Sequence, residues 1–204
     1  MIDRKELVQR HNPHLTKVVE EAPLTVGNGE FAFTADVTGM QTLYEEYACF
    51  PLCTQAQWGW HTAPVSRGKY AYTRRDLELT PFETYGRVVE YPVERRPGNE
   101  QVYQWLRQNP HRLNLGRIGL VYRDKPVAAR MLSGIEQTLD LYTGVLTSRF
   151  VLGGKECTVK TCVSPDKDQV SFVVESGLLA MGWLKVMLWF PYGSPEMSAS
   201  DWEQ

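Results

Sequence analysis

Hydrophobic and polar positions alternate strictly through residues 30–38. Phe31, Phe33, Ala35 and Val37 fall on one face of an extended chain, and Glu30, Ala32, Thr34, Asp36 and Thr38 on the other. A period of two bounded by turn residues predicts a strand with one buried face. The run Gly27-Asn28-Gly29 before it and Gly39 after it supply those turns, because glycine and asparagine accept positive φ cheaply. The polar face of this strand is expected to look onto a boundary, which makes Glu30 and Asp36 domain-interface candidates.

The same alternation fills the second half of the chain. Strands are expected over residues 115–122, 135–142, 145–152, 156–163, 170–175 and 183–190, with turns at Asp124-Lys125-Pro126, Thr143-Gly144, Gly153-Gly154 and residues 165–168. A further strand region lies near residues 84–91. Strands at this spacing with no interleaved helices predict antiparallel pairing, and residues 139–155 read as consecutive hairpins. Helical signals are few. Asp3 and Glu6 have the form of a capping box for a helix over residues 4–10, which Asn12-Pro13 stops. Asn99 is placed to cap a helix through Val102, Trp105 and Leu106 that ends before Pro110. Residues 42–47 fit either a helical turn or a short strand. The expected fold is mainly β, a large antiparallel β-sandwich with two or three short helices.

Composition changes this picture little. At 204 residues with 43% hydrophobic and 23% charged positions, the chain suits one large domain, residues 1–204, with a substantial core. Its 22 Lys and Arg balance 24 Asp and Glu for a net charge of -2, so neither a nucleic-acid footprint nor attraction to an anionic membrane is expected. No apolar run approaches the roughly 18 to 20 residues that span a bilayer. No leader pattern follows Met1: the protein is expected to be cytoplasmic if Met1 is its native start, and otherwise secreted or periplasmic with a leader removed. Cys157 and Cys162 sit at an odd offset and face opposite ways along a strand. Cys49 and Cys53 flank Pro51 in a turn. Neither spacing matches a four-cysteine zinc site, so free thiols are expected and no metal or cofactor. Residues 198–204 are expected to lead outward with Trp202 exposed, as in a chain that continues.

The candidate chemistry is concentrated in Gln57-Trp58-Gly59-Trp60-His61. If this stretch is extended, Trp58 and Trp60 share a face about 7 Å apart. Aromatic rings stack on the apolar faces of sugars, and imidazole hydrogen-bonds hydroxyl groups, so Trp58, Trp60 and His61 are carbohydrate-contact candidates. The competing reading is that both indoles fill the core, stabilising it by about 2 to 3 kcal/mol each. Asn28 is either a fourth contact or a plain turn former. His11, His14 and His111 border Pro or Asn in loops, where helix-end capping is the default. Arg112, Asn114 and Arg117 are either solvated or bridge to a neighbouring domain by charged hydrogen bonds, which puts Arg112 and Asn114 among the interface candidates.

Four stretches together resemble the N-terminal domain of the six-hairpin, (α/α)6-barrel glycoside hydrolases: Arg10-His11-Asn12-Pro13, the strand from Val26 to Phe33, Gln57 to His61, and the hairpins from Leu139 to Gly154. The strand is similar to the one that begins the β-supersandwich of the maltose and trehalose phosphorylase family, and Leu139 to Leu146 to a strand pair of the same proteins. The resemblance implies a galactose-mutarotase-like supersandwich standing N-terminal to a catalytic (α/α)6 barrel in the same chain. In such families the acid and base carboxylates belong to the barrel, so residues 1–204 are expected to carry no catalytic residue and to be inactive alone. Within the chain, Glu30 and Asp36 are close to 20 Å apart along a strand. That is too far to flank one glycosidic bond, which needs roughly 5 to 9.5 Å. The expected function is that of a non-catalytic domain in carbohydrate metabolism, packing on the barrel of a hydrolase or phosphorylase and lending the Trp58–His61 loop to an oligosaccharide or glycoside pocket. The alternatives are a free-standing carbohydrate-binding module and a protein-interaction domain. The long Trp58 region and residues 95–112 depart from the phosphorylase pattern.

Overall fold

The computed structural model describes residues 2–47, 50–62, 72–93, 95–194 and 199–203; Cys49 lies outside them. Helix α1 (Arg4–Gln9) starts where the Asp3 carboxylate accepts hydrogen bonds from the backbone N–H groups of Lys5 and Glu6 at 2.9 and 3.1 Å. This satisfies two of the donors that a helix start leaves unpaired. Strand β1 (His14–Leu15) follows, then β2 (Leu24–Gly27) and β3 (Phe31–Ala35), a hairpin closed by Asn28 and Gly29, with β4 (Thr54–Ala56) on the far side of β3. As expected from the alternation, Phe31, Phe33 and Ala35 are buried. The strand stops at Ala35, however. Residues 36–39 form a tight turn in which Gly39 N–H donates to the Asp36 carbonyl at 2.9 Å.

A two-residue strand β5 (Trp60–His61) is followed by a hairpin of β6 (Thr80–Thr84) and β7 (Arg87–Tyr91); strands are expected near residues 84–91, and the first of them begins earlier, at Thr80. Helix α2 (Glu100–Gln108) stands where Asn99 predicted it, but the Asn99 side chain does not cap it; its Oδ1 accepts from Arg96 N–H at 2.7 Å instead. Strand β8 (His111–Arg112) pairs antiparallel with β5. Strands β9 (Arg117–Tyr122), β12 (Val145–Leu152), β13 (Lys155–Val163) and β14 (Val170–Ser176) follow the predicted spacing; β11 (Leu132–Asp140) starts and ends earlier than expected, and Lys125 and Pro126, expected in a turn, form the short strand β10 (Lys125–Pro126). A four-residue helix α3 (Gly177–Ala180) precedes β15 (Leu184–Trp189).

The molecule is mainly β, and its sheets are antiparallel. The largest has the order β1-β11-β12-β13-β14. One face of it carries Leu146, Ser148, Phe150 and Leu152 from β12, all buried, while Arg149 on the other face is exposed. Two three-stranded sheets, β2-β3-β4 and β10-β9-β15, contribute to the cores on that face. Hydrogen bonds from Leu115 N–H to the Thr54 carbonyl (2.8 Å) and from Gln41 N–H to the Ile118 carbonyl (2.8 Å) join these smaller sheets into one layer. This is the sandwich that the strand spacing predicts.

Its interior holds a polar cluster at the turn of residues 36–39, which overturns the reading of Asp36 as an interface residue. Asp36 is fully buried (0% exposed) inside the chain. One carboxylate oxygen accepts from Thr38 N–H (2.7 Å) and the Thr38 hydroxyl (2.6 Å), and the other from Leu43 N–H (2.6 Å). The buried Gln137 amide donates to the Asp36 carbonyl at 2.6 Å and to the Ser148 hydroxyl at 2.9 Å, tying the turn to the large sheet. Gly39, at φ +79, completes this contact, because a Cβ there would meet Ser148 Oγ at 2.9 Å.

The C-terminal segment also departs from expectation. Asp201 bridges to Tyr192, Ala199 and Ser200 are buried, and Trp202 is half-buried against the Arg117 guanidinium at 3.9 Å rather than exposed.

Candidate functional site

The stretch from Gln57 to His61 is not a plain extended strand. Gln57–Gly59 form a 3-10 turn, so the shared face expected for Trp58 and Trp60 is broken between them. The turn is pinned by backbone hydrogen bonds: Gln57 N–H donates to the Glu30 carbonyl (2.7 Å), and the Gly59 carbonyl accepts from Leu113 N–H (3.0 Å). Only Gly59 of the turn is buried, in ordinary contact distance of Leu115. Both indoles point outward, Trp58 being 69% and Trp60 49% exposed. Core filling is thereby excluded as their role.

Each indole is nevertheless held. Trp60 lies opposite Arg112 in the β5–β8 pair, and the Arg112 guanidinium stacks 4.7 Å from its ring. The same guanidinium donates to Gln57 Oε1 at 2.6 Å, locking the turn to β8. The Trp58 indole N–H donates to the Asp168 carboxylate at 3.0 Å. His61 packs edge-on to His111, ring centroids 5.2 Å apart. Ordered, exposed aromatic faces beside a carboxylate, a guanidinium and an imidazole are suited to a polyhydroxylated ligand with apolar C–H faces.

Asn28 serves this site without facing it. Its Oδ1 accepts from the Glu30 and Phe31 N–H groups (2.9 and 2.8 Å), and its Nδ2 donates to the Ser164 and Lys167 carbonyls (3.0 and 3.1 Å). All four of its hydrogen-bonding positions are occupied, so it is a turn former and not a sugar contact. It ties the β2–β3 turn to the β13–β14 turn, which carries Asp168. Asp168 itself went unmarked in the sequence: it lies 110 residues from Trp58, and no local pattern connects the two.

The interface candidates divide. Glu30 is exposed at the foot of the Trp58 turn, and Arg112 belongs to the Trp60 cluster. Asn114 is buried (6% exposed), its Oδ1 accepting from Thr54 and Gly116 N–H groups at 3.1 and 3.3 Å, so like Asp36 it offers no boundary surface. His14 joins the Glu136 carboxylate at 3.1 Å and does not cap a helix.

Burial raises the Asp36 carboxyl to about 6 against the opposing hydrogen bonds of Leu43 and Thr38. Such a value suits acid–base chemistry, but a fully enclosed group cannot reach a substrate. Burial likewise pushes up the thiols of Cys53 and Cys157. Among the described residues no three His, Cys, Asp or Glu side chains gather in a metal-ligand arrangement, and no helix is long and apolar enough to cross a membrane. Compared with protein-family models, with curated proteins and with solved structures, the chain matches none.

Proposed function

We propose that this chain is a non-catalytic β-sandwich domain of a glycoside hydrolase-like protein in carbohydrate metabolism. It packs on a catalytic partner domain and presents the Trp58–His61 loop to an oligosaccharide or glycoside. The observation that carries the reading is the pair of exposed, immobilised indoles. Burying an indole removes on the order of 150 to 250 Å² from water, yet Trp58 and Trp60 stand 69% and 49% exposed. Arg112, Gln57 and Asp168 hold them there, an arrangement that lowers the entropy lost when a ligand stacks.

Packing on a partner domain is supported by β15. This strand ends its sheet, and among the described residues no strand pairs its outer edge. Val186, Met187 and Leu188 (54%) are exposed along it, followed by Phe190 (76%) and Tyr192. Unpaired apolar edges invite cover.

The experiment is calorimetric titration of residues 1–204 with a panel of neutral oligosaccharides. Saturable binding that falls at least tenfold in both Trp58→Ala and Trp60→Ala, with unchanged circular dichroism, supports the reading. Binding to none of the panel, or binding untouched by both substitutions, overturns it. A free-standing carbohydrate-binding module rests on the same indoles and differs in needing no partner for β15.

A further inference from the structure

A cleft of about 130 Å³ is lined by Tyr44, Tyr47, Asn114, Arg117, Ser200 and Trp202 among others. Among the described residues that line it, Arg117 is charged and none is a carboxylate. The Arg117 guanidinium is clamped between two aromatic faces, 3.4 Å from the Tyr44 ring centroid and 3.9 Å from that of Trp202. Stacking on both faces leaves the in-plane N–H donors as its polar edge, part of which the Tyr44 side chain engages. Its Nε is buried with no hydrogen-bond partner, and among the described residues no ion pair engages the group. Glu45 lies close enough to act on it electrostatically but makes no salt bridge with it.

Asn114 supplies a second donor. Two backbone N–H groups, of Thr54 and Gly116, require its Oδ1 as their acceptor. This leaves Nδ2 as the donor that Asn114 can offer to the cleft it lines, and among the described residues no group accepts from it. An oriented guanidinium and a buried N–H₂ donor converging on a small cleft form a receptor for negative oxygen atoms. We propose that this cleft binds a small oxyanion, a carboxylate or phosphate group, received by Arg117 and Asn114. The proposal does not rest on the Trp58–Trp60 reading, because the two sites share no side chain.

The test is an NMR titration of residues 1–204, following the Arg117 Nε–Hε and Asn114 Nδ2 resonances. The probes are inorganic phosphate, acetate and chloride at matched ionic strength, then glucuronate against glucose. Phosphate or acetate is expected to shift both resonances saturably while chloride does not. Glucuronate binding without glucose binding identifies the anionic group of a sugar as the source; phosphate binding without glucuronate binding identifies the free anion. Arg117→Lys, which retains the charge but loses the fork, is expected to weaken binding at least tenfold, and Trp202→Ala, which opens the clamp, several-fold. No saturable shift with either oxyanion, an equal response to chloride, or full affinity in Arg117→Lys overturns the proposal. Neutral oligosaccharide binding is unaffected by Arg117→Lys, so the outcome separates from that at the indoles.

Discussion

Asp36 shows how far a residue's role can depart from its place in a pattern. The alternation assigns it to an open face, yet it is enclosed because Thr38 and Leu43, residues ahead of it in the chain, supply the donors that its carboxylate needs. Its charge is still costly. A rise from 3.8 to about 6 corresponds to on the order of 3 kcal/mol at about 1.4 kcal/mol per tenfold. Because the folded value lies above the unfolded one, this contribution to stability is fully present below pH 3.8 and lost as pH rises through about 6. Denaturant melts of the native chain and Asp36→Asn between pH 4 and 7 are expected to differ in slope, the variant losing the fall that Asp36 causes; parallel curves would refute this. Asn28 is the second case. With its four hydrogen bonds joining two turns, Asn28→Ala is expected to cost about 1 to 3 kcal/mol. It should weaken any ligand at Trp58 only a few-fold, through the displaced Asp168. Loss of stability and affinity in comparable degree to Trp58→Ala would restore Asn28 as a direct contact.

At the scale of elements, what was legible followed from local signals. Strand β12 spans Val145–Leu152 as predicted, because Thr143-Gly144 and Gly153-Gly154 bracket a clean period of two. Strand β1 was invisible, since two residues hold no period and owe their pairing to Gln137 and Thr138 of β11, far along the chain. The Trp58 loop was half legible: its residue types marked it, but the 3-10 turn and the partnership with Arg112 and Asp168 depend on tertiary contacts. The β5–β8 pair gives a prediction of its own. Arg112→Ala releases Trp60 and Gln57 together and is expected to lower oligosaccharide affinity about three- to tenfold by calorimetry, with little change in melting temperature. A large fall in stability instead would make the cluster structural. Strand β15 behaves oppositely. Met187→Lys with Leu188→Lys is expected to leave stability within about 0.5 kcal/mol per site, since both side chains are exposed. In sedimentation runs the native chain, with this apolar edge uncovered, is expected to associate as concentration rises and the variant is not; association that persists in the variant would move the sticky surface elsewhere.

At the scale of the molecule, the antiparallel sandwich is a platform with distinct features: the held indoles of the Trp58–His61 stretch, the open apolar edge of β15, and the oxyanion cleft beside Arg117. The raised carboxyl of Asp36 is enclosed in the core, out of reach of a substrate. Turnover assays of the purified chain on aryl glycosides are expected to show no hydrolysis. The central claim is that the exposed indoles exist to stack on sugar, and calorimetric titration of the native chain beside Trp58→Ala and Trp60→Ala tests it most directly. The account predicts saturable binding of at least one neutral oligosaccharide, reduced tenfold or more by either substitution. Folded variants that bind as tightly as the native chain, or a native chain that binds none, would contradict it.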